Sequence, residues 1–247
     1  MWEIVLITFG TLLGAATVRI TGLGFALIAT PFYIVAVGPS DTVAIVIVLA
    51  AVNGLMIMWA MRSQIEYRRV LWIMLGGLVG ALPGTWILHT APQRVLELTI
   101  GILVIVTLVV TVRIPVGRTL DGWKARSIVG FFWGFLNALA ALGAPPLTIY
   151  ARLTGWEVSR FAASVQPMFV LSAPLFLGLR ASMSGEWFPS FGLPTILAVM
   201  IALIVGVFLG GYVTRWVSPR LALRLQAGLS LGAALFISIR AVVLWGE

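Results

Sequence analysis

Polar and apolar positions along this 247-residue chain fall into long unbroken blocks. Apolar runs cover roughly residues 4–18, 22–37, 42–61, 70–88 and 94–112, then 127–141, 145–153, 160–179, 191–214 and 221–243. Strict alternation is absent, and the runs are too long and continuous for barrel strands. They predict helices, several of them near the ~20 residues that span a ~30 Å hydrocarbon core. Helix punctuation bounds several runs: Gly38-Pro39-Ser40-Asp41, Ala91-Pro92 and Ser218-Pro219. The longest polar stretch, Arg113 to Arg126, separates two sets of five runs. The domain reading is therefore a first repeat over 1–112, a basic linker over 113–126 and a second repeat over 127–247.

Two interruptions stand in corresponding places, early in each set. One is Arg19-Ile20-Thr21-Gly22-Leu23-Gly24-Phe25, the other Ala140-Ala141-Leu142-Gly143-Ala144-Pro145-Pro146. A helix broken inside a bilayer is costly unless the break is buried in protein or lines a polar cavity. Matched breaks in two halves are the best sequence pointer to a transporter's binding site. Length sharpens this. Residues 127–153 reach only ~40 Å as helix, against about 60 Å for two full crossings. Residues 4–37 reach ~51 Å. The first two segments of each repeat are thus a broken or re-entrant helical hairpin, and the total is either ten crossings or six crossings plus two hairpins.

Composition agrees: 61% of residues are hydrophobic and 10% charged, and the mean hydropathy is +1.10. A soluble chain carries about 25% charged residues, so this is an all-α, multi-pass integral membrane protein. The net charge of +8 is not a nucleic-acid signal, because the basic residues sit in short loops between apolar runs. With the loop Arg62–Arg69 placed in the cytoplasm, thirteen Lys and Arg fall on or toward that side and three, Arg94, Arg180 and Arg240, fall outside. Each half then makes an odd number of crossings, so the two repeats have inverted topology and the N-terminus is periplasmic. The start, Met-Trp-Glu-Ile, lacks a basic n-region and a cleavage site, so the first run reads as retained.

The repeats share residues as well. A shift of 126 superposes Gly80 on Gly206, Gly84 on Gly210 and Arg94 on Arg220. Glycines four apart permit close helix–helix approach, and these read as packing positions.

Chemistry has little material elsewhere. There is no Cys and one His, His89, at a run end, where it reads as interfacial. No HExxH, P-loop or Gly-x-Ser-x-Gly pattern occurs, so catalytic residues, metal and cofactors are none and an enzyme is not expected. The eight acids lie in loops or near run ends, and Arg62/Glu66, Arg94/Glu97 and Glu157/Arg160 read as surface pairs. With no carboxylate in mid-run, a cation pump or proton relay is disfavoured and an anion is favoured. At the first break, Thr21, Gly22 and Gly24 open a helix start whose free N–H groups and partial positive charge suit an anion. Arg19 either grips that anion or marks the cytoplasmic face. At the second, Gly143 allows a turn and Ala144-Pro145-Pro146 begins a helix, with Pro31 holding a comparable place in the first half. Among the few polar residues within runs, Asn53, Asn137, Thr148, Gln166 and Ser172, the first choices for the polar shell are Asn53, Asn137 and Gln166. Helix–helix hydrogen bonding is the alternative for each.

The run Gly10-x3-Gly14 through Arg19-Ile20-Thr21-Gly22-Leu23-Gly24-Phe25 to Thr30-Pro31 resembles the first signature of the sulfite exporter TauE/SafE family. Gly130-x3-Gly134 with Gly143-Ala144-Pro145-Pro146-Leu147 resembles its repeat, and the resemblance covers nearly the whole chain. Leu23, Phe25 and Ala144 replace part of the denser glycine cluster of typical members. The resemblance implies a bacterial inner-membrane carrier of sulfur-containing anions: sulfite, or an organosulfonate such as sulfoacetate. Expected partners are the small anion and the lipid bilayer, not nucleic acid; the oligomeric state is open, with a homodimer among the options. A carboxylate carrier is the runner-up, and a membrane enzyme or assembly factor without transport a third reading.

Overall fold

The computed structural model describes residues 2–21, 25–113, 117, 121–189, 191–213, 228 and 231–232. Among them the regular elements are all helical. They are α1 (Trp2–Thr21), α2 (Phe25–Met61), a 3₁₀ turn (Arg62–Gln64), α3 (Tyr67–Thr90), α4 (Gln93–Arg113), α5 (Trp123–Ala140), α6 (Ala144–Thr154), α7 (Val158–Ser184) and α8 (Leu193–Val213). Four stretches are long and apolar enough to cross a membrane: Phe25–Trp59, Tyr67–Thr90, Val158–Ser184 and Leu193–Gly210. The run predicted over 221–243 lies outside the described residues, apart from 228, 231 and 232.

The second predicted break separates α5 from α6, while at the first α1 is described to Thr21 and α2 from Phe25, with Gly22, Leu23 and Gly24 outside the described residues. The punctuation at Gly38 is also present. α2 is two helices joined there by a left-handed residue (φ 79°, ψ 171°), with Pro39 following and Thr42 Oγ1 donating to the Gly38 carbonyl at 2.6 Å. Pro31 differs from expectation: it lies inside α2 rather than at a helix start, which Phe25 supplies. α5 begins at Trp123, inside the polar stretch read as linker, because Lys124 and Arg126 occupy its first turn and hide it from a hydrophobicity count.

The chain divides into two compact units. The first comprises Met1–Thr42, Ala91–Leu108 and Pro189–Glu247. Within it α1 packs on α8. A Cβ at Gly206 would lie 2.6 Å from the Leu12 carbonyl oxygen and 2.8 Å from the Ala15 Cβ, so glycine is what permits the approach. Gly10 and Gly14 similarly admit Phe32 and Phe25 of α2, and the Thr11 and Tyr33 hydroxyls share a buried hydrogen bond.

One acid in this unit departs from its surface assignment. Glu97 is 3% exposed, beside Leu96 and Ile100, and accepts from Gln93 Nε2 at 3.0 Å instead of pairing at the surface with Arg94. Its place in the second turn of α4 faces it inward with the apolar i+3 residue Ile100.

The second unit comprises Val43–Thr90 and Val109–Phe188. Its spine is α3 against α5, in backbone contact through glycines on both helices. Gly76, Gly80 and Gly84 face the carbonyls of Ser127, Phe131 and Phe135, while Gly130 and Gly134 face those of Ile73 and Gly77. Partner numbers rise together, so the two helices run parallel. Each glycine removes the one substituent that would hold the backbones apart, and the reward is dispersion and Cα–H···O contact. The packing assignment of Gly80, Gly84 and Gly206 thus agrees with the geometry, Gly84 meeting the Ala138 Cβ as well as the Phe135 carbonyl. α7 packs on α3, and α6 returns along α5.

Candidate functional site

The α5–α6 break is built by local rules. α5 ends on Ala141, whose φ of 55° is left-handed, with Ala141 N–H donating to the Asn137 carbonyl and Leu142 N–H to that of Leu136. The chain then turns through Leu142 and Gly143 into α6. Gly143 itself has φ −75°, so its role is not the turn that the sequence assigned to it. Its role is space. A Cβ there would lie 2.6 Å from Trp133 Nε1 and 2.8 Å from Asn137 Oδ1.

Those two side chains define the notch. Trp133 is 1% exposed and Asn137 2%. They are four residues apart on α5, so they share a face. Trp133 Nε1 and Asn137 Nδ2 are both buried with no hydrogen-bond partner among the described residues. A buried donor left unsatisfied costs about 1–3 kcal/mol, so the two call for an acceptor.

The start of α6 adds to this. Its first four positions are Ala144, Pro145, Pro146 and Leu147, and the prolines carry no N–H. The helix end keeps its partial positive charge but offers free donors only from Gly143 and Ala144. Trp133 and Asn137 supply what the prolines remove. The notch therefore holds two unmet donors, with Asn137 Oδ1 as an acceptor facing Gly143 and no carboxylate among its named atoms, an arrangement that can receive a small oxyanion.

The other expected residues are distributed as follows. Arg19 and Thr21 lie in the last turn of α1; their side chains, and Gly22 and Gly24 entirely, lie outside the described residues. Asn53 is buried on α2, beside Gly54, whose Cβ position faces the Gln166 carbonyl at 3.3 Å and its Oε1 at 3.5 Å. Gln166 Nε2 donates to the Ala162 carbonyl at 2.8 Å. Asn137, Gly143, Ala144 and Pro145 are thus together at the α5–α6 break, and Asn53 lies near Gln166 where α2 meets α7. Thr148 and Ser172 spend their hydroxyls on their own helices.

Sequence reasoning missed Trp133. An indole counts as apolar in a hydropathy scan, yet its N–H is donor-only; the available signal was its spacing of four from Asn137.

At the opposite end of α5 an ionic clasp closes the hairpin. Asp121 accepts from Arg126 Nε and Nη2 (2.9 Å each), Arg69 Nη2 (2.6 Å) and the Tyr150 hydroxyl (2.6 Å). Its carboxyl is held well below the ordinary range, by Arg126 first and then by Tyr150 and Arg69, against the opposing effect of burial. Glu66, expected to pair with Arg62, instead meets Arg69 (3.3 Å) and Arg160 (3.8 Å) and accepts from Trp156 Nε1 (3.2 Å). Arg62 lies over the Trp59 ring, one turn back along its own segment. Glu157 and Arg160 pair as expected, at 3.0 Å.

A family model described as "Sulfite exporter TauE/SafE" matches residues 6–237 of the chain. Comparison with curated proteins and with solved structures gives no match.

Proposed function

Because the chain belongs to the sulfite exporter TauE/SafE family, a family of membrane exporters of sulfite-type anions, we propose that it exports a small sulfur-containing anion, sulfite or an organosulfonate such as sulfoacetate, by alternating access. The bilayer is the inner membrane of a bacterium. The observation that carries the site is the pair of buried, unpartnered donors, Trp133 Nε1 and Asn137 Nδ2, on the two α5 side chains that meet Gly143 before α6. Sulfite and sulfonate oxygens accept hydrogen bonds, so they match these two donors. In this reading the first break, with Arg19, Thr21, Gly22 and Gly24, is the counterpart site of the other half, and Asn53 and Gln166 complete the polar shell. No acid–base pair adjoins the notch to suggest catalysis. The membrane potential drives exit: moving one negative charge outward gains ~2.3 kcal/mol per 100 mV.

Two inverted repeats, 1–112 and 127–247, support this mechanism, and the packing within each unit favours them. α1, the first run of one half, packs on α8, the fourth run of the other. α5, the first run of the second half, packs on α3, the fourth run of the first. Both contacts use glycines that correspond under the repeat, Gly80 and Gly206. Such reciprocal exchange is what two copies related by a two-fold axis produce. In this reading α5 and α6 form a re-entrant hairpin. As helix they are only ~27 and ~17 Å long.

The test is calorimetric binding to purified protein. Trp133→Phe keeps the ring and removes the donor, so sulfite or sulfoacetate affinity should fall about tenfold while the fold is retained. Unchanged affinity removes Trp133 from the site. Tighter binding of a matched carboxylate than of the sulfonate would favour the carboxylate carrier instead.

A further inference from the structure

A second polar cavity lies in the same unit, at the far end of α5 from the notch. Its volume is about 450 Å³, within the ~300–1,000 Å³ range of small-ligand pockets. Glu66, Tyr67, Arg68, Arg69, Arg126 and Arg160 line it. Four guanidinium groups and one carboxylate line it; with Asp121 and Glu157, which pair with three of those arginines, four positive charges meet three negative ones and the cavity stays net positive. It is a built site as well as a charged one. Arg69 and Arg126 are fixed by Asp121, and Arg69 also lies over the Trp156 ring, 4.7 Å from its centroid. Arg160 is tied to Glu157 but its side chain is 57% exposed, and Arg68 is exposed with no ion pair among the described residues. Two held arginines and two open ones can present forked N–H pairs to a tetrahedral oxyanion. The first turns of α3, α5 and α7 supply the lining, adding helix-start potential of the same sign.

The surroundings indicate where the anion comes from. Tyr67 and Trp123 are exposed on this side, the Trp123 ring packs tilted against Trp72 with centroids 5.7 Å apart, and Lys124 lies over the Trp123 ring. Exposed aromatics paired with cations mark the headgroup level of a bilayer. Basic pockets at that depth receive phosphate headgroups. The cavity is separated from Gly143 by most of α5, roughly 20 Å along its axis, so it is not the notch.

We propose that this cavity holds the phosphate of an anionic phospholipid headgroup, with Arg68 and Arg160 as the contacting cations and Arg69 and Arg126 as the fixed wall. The test uses full-length protein in neutral detergent. Binding of phosphatidylglycerol, phosphatidylcholine and inorganic phosphate is read by native mass spectrometry and by the shift in unfolding temperature. Phosphatidylglycerol should bind and stabilise more than phosphatidylcholine. Arg68→Gln, which breaks no ion pair, should weaken it about fivefold, and the double change with Arg160→Gln about 30-fold. The variants' lipid-free unfolding temperatures guard against misfolding, and Arg68→Lys should retain most of the binding. Sulfite affinity should be unchanged in both glutamine variants, which separates this outcome from failure of the transport reading. Equal binding of the two lipids, or full affinity in the double variant, would overturn the proposal. Inorganic phosphate stabilising as strongly as phosphatidylglycerol would overturn the lipid source.

Discussion

Tyr150 donates its hydroxyl hydrogen to Asp121 Oδ1 at 2.6 Å, joining residues 29 positions apart in sequence. Asp121 precedes the first residue of α5 and Tyr150 lies in the second turn of α6. The bond therefore ties the two open ends of the hairpin whose closed end carries Gly143. Arg69 and Arg126 complete the tie by meeting the same carboxylate.

The clasp has a pH signature. The folded-state pKa of Asp121 is depressed, so its contribution is complete above the ordinary carboxylate value and is lost as pH falls through the folded value. Asp121→Asn should lower stability at pH 7 by about 1–2 kcal/mol, allowing for solvent screening at this part-exposed site. Below about pH 4 the wild type should begin to lose that advantage, progressively as pH falls toward the folded value, while the variant shows no matching loss. Unfolding curves of both proteins in detergent from pH 7 to pH 3 check this, and parallel curves would remove Asp121 as a stabilising centre.

Glycines of the α3–α5 contact should tolerate nothing larger. Gly84→Ala would place a methyl 2.5 Å from the Phe135 carbonyl oxygen and should cost about 1–3 kcal/mol, or prevent folding. Gly178→Ala is the control: its Cβ position is open and it sits inside α7. That change should be neutral or gain up to about 1 kcal/mol. Thermal unfolding of the pair tests whether contact, and not helix propensity, decides.

Gly143→Ala should fill the notch. The new methyl needs space now held by Trp133 Nε1 and Asn137 Oδ1, so anion binding should be abolished with a stability loss of about 1–3 kcal/mol. Isothermal titration with sulfite gives the first quantity and thermal unfolding the second. Retained affinity would move the site elsewhere.

Glu97 should separate by hydrogen-bonding capacity. Glu97→Gln leaves an oxygen to accept from Gln93 Nε2 and should stay within about 1 kcal/mol of the wild type. Glu97→Ala removes the acceptor and opens a void, costing about 2–4 kcal/mol. Equal stability of the two variants would show that the Gln93 contact contributes nothing.

Several of these features were legible in the chain. Gly143-Ala144-Pro145-Pro146 marked a helix boundary because glycine and proline act locally, through backbone freedom and a missing donor, while Gly22-Leu23-Gly24 lies outside the described residues. The spacing of Gly80 and Gly84 marked a contact face for the same reason. What stayed hidden depends on partners distant in sequence. Glu97 looked like a surface acid because nothing local shows that α4 turns it inward. Asp121 looked like a loop acid because Arg69 and Tyr150 reach it only in the folded chain. The turn assigned to Gly143 belongs to Ala141, and Gly143 is small because an indole from the preceding helix occupies the space. That indole escaped notice because its hydropathy conceals its one donor.

The pairing of first runs with fourth runs imposes an order on synthesis. α5 follows α3 by a few dozen residues, so the glycine contact of the second unit can close while the chain is still being made. α1 emerges first but finds its partner α8 only after Leu193. Until then the newborn helix exposes the face at residues 12–16 that receives Gly206 to lipid or to an insertion chaperone. Neither half, expressed alone, contains both members of either helix pair, and truncation after the linker would leave α1 and α3 each without its mate.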